Sequence, residues 1–89
     1  MMGAKPTTDE IQQSVRSYLI TEFLPGEDPA ELTQDLPLIS SKIIDSIAAI
    51  KLISFLEGQF GIQIEAHEVD IERLDTIARI TLLVQSKQA

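Results

Sequence analysis

An all-α fold, a bundle of four helices with one long connection and a short third helix, is what this 89-residue sequence predicts. Three observations carry the prediction. Apolar residues recur at helical spacing in three well-separated stretches. Each of those stretches opens on side chains suited to a helix N-cap. Strand-like alternation is confined to Ile62 and Ile64, and two alternating residues cannot build a sheet without partners elsewhere.

The chain reads as a single domain over residues 1–89, with residues 1–6 as a loose, flexible tail. A first helix is expected over residues 8–23, because Ile11, Val15, Tyr18 and Leu19 share one face and Phe23 or Leu24 continues it. Thr7 and Glu10 stand three apart just before that stripe, as in a capping box. The stretch "PGEDPAELTQDLPLISSK" then stops the helix, since it holds three of the four prolines together with several turn formers. It is long for a loop in so small a domain, and unusual loop length signals function. Leu36, Leu38 and Ile39 are expected to tuck inward and pin it, with a short helical turn near Pro29 to Leu32.

The second helix is expected over residues 45–59. Ile47, Ile50, Ile53 or Ser54, and Gly58 line one side; Leu52, Phe55, Leu56 and Phe60 line a broader apolar side. Gly58 costs about 1 kcal/mol relative to Ala inside a helix, so fraying is expected at that end. Gly61 stands where a left-handed cap would close it. "IQIEAHEVDIERL" is expected to hold an extended linker and a short third helix over residues 66–72. The last helix, residues 75–86, opens at Asp75-Thr76, both good N-caps, and buries Ile77, Ile80 and Val84, backed by Leu83.

Composition narrows the function. A 44% hydrophobic content is that of a folded chain, and with 4% aromatic residues and no Trp the core must be Ile, Leu and Val. The net charge of −7 repels nucleic acid and anionic membranes and suits partners with basic docking patches. Without Cys there is no disulfide, thiolate metal site or cysteine nucleophile. No apolar run approaches the roughly 20 residues that span a bilayer. The opening "MMGAKPTTDE" does not read as a secretion signal, so a cytoplasmic monomer is expected. Read from Met2, "MGAKPT" fits the loose myristoylation pattern, which arises often by chance.

The inventory for catalysis is poor. His67 is the only histidine and reads as a solvated residue. Glu65, Glu68, Asp70 and Glu72 lack the spacing and central glycine of a calcium loop, so no metal ligands are assigned. No glycine-rich phosphate loop or Ser-His-Asp set can be assembled, and the chain is expected not to be an enzyme. Asp45-Ser46 stands apart because of its place. As a cap the pair is ordinary. A phosphodiester on Ser46, however, would meet free backbone N–H groups and a partial positive charge at the first turn, both favourable to an anion.

"IIDSIAAIKLISFLEGQFGIQI" closely resembles the acyl carrier protein family. That family has Asp-Ser-Leu at the start of its second helix, then an apolar stripe, Leu-Glu, Phe-Gly-Ile and a further Ile. Here these stand as Asp45-Ser46-Ile47, Leu56-Glu57, Phe60-Gly61-Ile62 and Ile64, without a gap. "LDTIARITLLV" is similar to the family's last helix and "DLPLISSKIIDS" to its approach from the loop, so the likeness spans residues 8–86. It implies an acyl-carrier-protein-like bundle in which a phosphopantetheinyl transferase moves 4'-phosphopantetheine from coenzyme A onto Ser46. The arm's thiol would hold an acyl group as a thioester and present it to an acyl-activating ligase or acyltransferase and to downstream synthase enzymes. Asp45 would assist recognition during loading. Ile47, Ile50, Lys51, Ser54 and Glu68 would dock partners, and Leu52, Leu56, Phe60, Ile64 and Ile77 are candidates to line an acyl cavity.

Two departures from the pattern bear on partners. The family has a glycine three residues before the Asp, and here that position is Lys42. Fatty-acid members carry a strongly acidic second helix; this one offers Glu57 against Lys51, with Ala48, Ala49 and Ser54, while acidity has moved to residues 65–75. The expectation is therefore a specialised carrier in lipid or secondary metabolism. An aminoacyl or peptidyl carrier, or an unmodified helical interaction module, is the alternative.

Overall fold

Thr7 starts the first helix through both halves of a capping box. Its Oγ1 accepts the Glu10 N–H at 3.1 Å, and the Glu10 carboxylate accepts the Thr7 N–H at 2.7 Å. The structure, a computed structural model, describes residues 6–88; most of the expected tail and the start of the myristoylation pattern lie outside the described residues. Helix α1 is Thr8–Phe23, α2 is Ser46–Phe60, α3 is Ile71–Leu74 and α4 is Ile77–Gln88, with 3-10 turns at Pro29–Glu31 and Ala66–Glu68. The described residues contain no strand.

The core forms where the stripes meet. Ile11, Val15 and Leu19 of α1 pack with Leu52 and Leu56 of α2 and with Ile77, Ile80 and Val84 of α4, all fully buried. Tyr18 stacks on Phe55 with ring centroids 4.1 Å apart, joining the outer edges of α1 and α2. The single buried polar side chain among the described residues, Thr81, donates its hydroxyl to the Ile77 carbonyl at 2.8 Å, which lets it sit inside without an orphaned group.

The long connection is pinned as expected. Leu32 and Leu38 are buried, Leu36 and Ile39 half-buried, and the turn predicted near Pro29 is present. Its backbone is satisfied by distant elements: Arg16 Nε donates to the Leu32 carbonyl at 2.9 Å, and the Ala78 N–H to the Gln34 carbonyl at 3.0 Å. A loop whose polar groups are met in this way stays against the core.

Four expectations need correction. The third helix is two pieces, because the Asp70 carboxylate accepts the Arg73 N–H at 2.8 Å and so caps a new helix instead of continuing the old turn. Asp75 does not cap α4; Thr76 does, its hydroxyl accepting the Arg79 N–H at 3.1 Å. Ala48 and Ala49 are buried, 6% and 7% exposed, so neither is an exposed residue of the outer face of α2. Their small side chains let the first turn of α2 lie close to the bundle. The expected fraying at Gly58 is absent: α2 runs on to Phe60 and closes at Gly61, which takes φ +64° and donates its N–H to the Glu57 carbonyl.

Candidate functional site

The approach to α2 is a tight turn. The Leu38 carbonyl accepts the N–H groups of both Ile43 and Ile44, at 2.8 and 3.1 Å, closing residues 38–44 on themselves. Within it Lys42 takes φ +62°, the left-handed region. The resemblance noted above has a glycine here, and this backbone supplies the physical reason: without a Cβ the conformation carries no penalty, while a lysine in it carries roughly 1–2 kcal/mol.

The turn delivers Asp45 and Ser46 to the helix start. Asp45 is the N-cap, its Oδ1 accepting the Ala48 N–H at 2.8 Å. That leaves Ser46 as the first helical residue, exposed, with no hydrogen bond from its hydroxyl among the described residues. The N–H groups of Ser46 and Ile47 are likewise without an intramolecular acceptor, as the first turn of any helix requires. A nucleophilic oxygen beside two spare donors and the positive helix end suits an esterified phosphate.

Around the serine the surface is apolar. Ile47 and Ile50 are 65% and 61% exposed, large values for isoleucine. With exposed Lys51 and Ser54 they form one stripe at i, i+3, i+4 and i+7 on the outer side of α2. Between α2 and α3 lies a hollow of about 280 Å³, where Ser46 and Ile50 face Ile39, Val69, Ile71 and Leu74. Val69 and Ile71 were missed by the sequence reading. Their signal was two apolar residues either side of a capping Asp, which brings both to one rim once the helix breaks there.

Asp75 was misread as a cap, and its actual role is larger. Its carboxylate accepts the Ile39 and Ser40 N–H groups, each at 2.8 Å, and the Ser40 hydroxyl at 2.6 Å; its carbonyl accepts the Leu38 N–H. Burial pushes this carboxyl up, but the Ser40 and Ile39 hydrogen bonds and the Arg79 charge outweigh that and hold it below the usual range. The α3–α4 junction is thereby clasped to the turn that carries Ser46.

Other expected site residues lie apart. Glu68 is ion-paired with Lys87 and lines a groove with Leu82 and Leu83, separate from the hollow beside Ser46. The Lys87 hydrogen bond lowers its pKa, with the Glu65 backbone helping. Leu52, Leu56, Ile64 and Ile77 are brought together as buried core, with half-buried Phe60 packed against them; none lines the hollow at the serine. Glu57 faces inward as a structural group, its Oε2 accepting the Ile64 N–H at 3.0 Å. His67 is exposed on its 3-10 turn, and the described residues hold no cluster of three or more His, Asp or Glu placed for a metal. No described helix is long and apolar enough to cross a membrane.

Comparison with known proteins gives this geometry its context. Residues 21–84 match the family described as the phosphopantetheine attachment site. The chain belongs to that family of carrier proteins. It is similar to the D-alanyl carrier protein of Enterococcus faecalis, at 33% identity over 88% of this chain and 97% of that one. The D-alanyl carrier protein of Lactococcus lactis subsp. cremoris is 38% identical over 76% of this chain and 86% of its own. An acyl carrier protein of Thermotoga maritima is 29% identical over 89% of this chain and 93% of its own. As a carrier it bears covalent 4'-phosphopantetheine and works with transferases that attach the arm and with ligases or acyltransferases that load it.

Proposed function

We propose that Ser46 is the attachment point and that the arm it bears carries a carboxylic acid, held as a thioester, between partner enzymes. The observation that carries this reading is the exposed, unbonded Ser46 hydroxyl at the first position of α2, next to two unsatisfied N–H groups. In loading, the Ser46 oxygen forms a bond to the phosphorus of the coenzyme A pyrophosphate that bears the pantetheine. The bond to the adenosine bisphosphate leaving group breaks, and the hydroxyl proton goes to a base on the transferase. Asp45 holds the helix start that aims the hydroxyl outward. Ile47 and Ile50 present an apolar contact on either side of the path to it, with Lys51 and Ser54 completing the stripe. When attached, the arm supplies the thiol that this cysteine-free chain lacks.

An amino acid, the alternative above, is the cargo class that the names of the D-alanyl carrier relatives favour, over the acyl group of a specialised lipid or secondary-metabolite pathway expected first. The outer face of α2 supports this, since it lacks the strong acidity of fatty-acid carriers: Lys51 is its charge, and Glu57 is tied to Ile64. Co-expression with a promiscuous phosphopantetheinyl transferase, followed by intact mass measurement, tests the attachment. A gain of one phosphopantetheine that disappears in Ser46→Ala supports it, and no gain with several transferases favours an interaction module. Offering the arm-bearing form, with its thiol free, to ligases with amino or fatty acids, and weighing the product, separates the two cargoes.

A further inference from the structure

The acidity of this chain is not equally available to partners. Three of the five acids at 65–75 are engaged, Asp70 with Arg73, Glu68 with Lys87 and Asp75 in the loop clasp, while Glu65 and Glu72 are exposed. A second acidic run, Glu27, Asp28 and Glu31, is placed differently. These three residues are exposed and rim a hollow of about 330 Å³ between the end of α1 and the long connection. Its floor is Ile20, Leu24, Leu32, Leu36 and Ile43. Among the described residues no Lys, Arg or His lines it, and both ion pairs lie elsewhere. One Asp28 oxygen caps the Ala30 N–H, but Glu27 and Glu31 make no side-chain hydrogen bond among the described residues.

Floor and rim together select an occupant. An anion is repelled by three carboxylates, and a plain hydrocarbon satisfies the floor while leaving the rim without a counter-charge. A side chain that is aliphatic or aromatic and flanked by cations satisfies both. We propose that this hollow docks a partner-protein segment in which one such apolar residue lies between lysines or arginines. None of Ile47, Ile50, Lys51 or Ser54 lines it, so a partner can hold the carrier here while its catalytic site addresses the serine. The docking needs no arm, and so stands or falls apart from the assignment of Ser46.

The test is a methyl NMR titration of the full chain, in the arm-bearing form and as Ser46→Ala. The probe is a blocked pentapeptide with a central leucine between two pairs of lysines. Saturable shifts at Leu24, Leu32, Leu36 and Ile43 are expected in both forms. Binding should weaken about tenfold in the Glu27→Gln, Glu31→Gln double variant, as two surface charge contacts imply. Peptides with serine for the leucine, or glutamates for the lysines, should not produce those shifts. Shifts that map instead to residues 65–75, equal binding of the serine peptide, or no saturable shift at all would overturn the proposal.

Discussion

The two ends of α2 are finished in opposite ways. At the C-terminal end Gly61 supplies the left-handed residue without strain, and the Glu57 carboxylate ties the departing chain at Ile64. At the N-terminal end a lysine holds the same left-handed region, at φ +62° against +64° for Gly61, and two isoleucines stand in solvent. One end is built for stability. The other gives up local stability around an exposed hydroxyl and an apolar surface, the pairing of strain with a site that the proposed attachment at Ser46 would explain.

The sharpest way to separate the ends is Ser46→Ala. Arm attachment should vanish completely while urea unfolding shifts by less than about 0.5 kcal/mol, because the hydroxyl makes no internal bond. Asp75→Asn comes next. It should lower stability at neutral pH by about 1–3 kcal/mol, since three donors to a carboxylate would be left with a weaker or mismatched acceptor. The sign with pH follows from the depressed carboxyl. Its contribution is complete above the ordinary aspartate value and is lost as pH falls below that value towards the folded one. Acid titration of stability should therefore be flatter in the Asn variant.

At the sealed end, Gly61→Ala should cost about 1 kcal/mol. Nothing lies within 4 Å of an added Cβ, so the penalty is purely one of backbone conformation. The mirror experiment is Lys42→Gly, which should raise stability by about 0.5 kcal/mol, the relief of strain being partly offset by the freer unfolded chain. An unchanged or lower midpoint would break the comparison. Smallest in stability is Ile50→Ser, within about 0.5 kcal/mol by thermal melting, with a slower rate of arm transfer that sets it apart from a purely structural change.

Local signals in the sequence reached far into this fold. The stripes of α1 and α4, the Thr7–Glu10 box and the Gly61 cap all depend on residues within one or two turns of each other, and all are as expected. What escaped depends on distance. Asp75 and Thr76 look equally like caps until the turn at 38–40 arrives from more than thirty residues away and claims the carboxylate. Ala48 and Ala49 are neutral enough for either face, and only the packing of α2 on the bundle turns them inward. At the site, Ser46 was legible from its motif and its helix start. The hollow beside it was not, because Val69 and Ile71 enter it only through the break at Asp70.

The clasp between Asp75 and residues 38–40 has a practical consequence for anyone recombining carriers. An exchange that moves α2 with its approach turn but keeps the native α3–α4 junction splits a set of four hydrogen bonds between two parents. Crossover points that carry segment 38–60 and position 75 together keep that set whole, so chimaeras cut there should remain loadable when those cut between them do not.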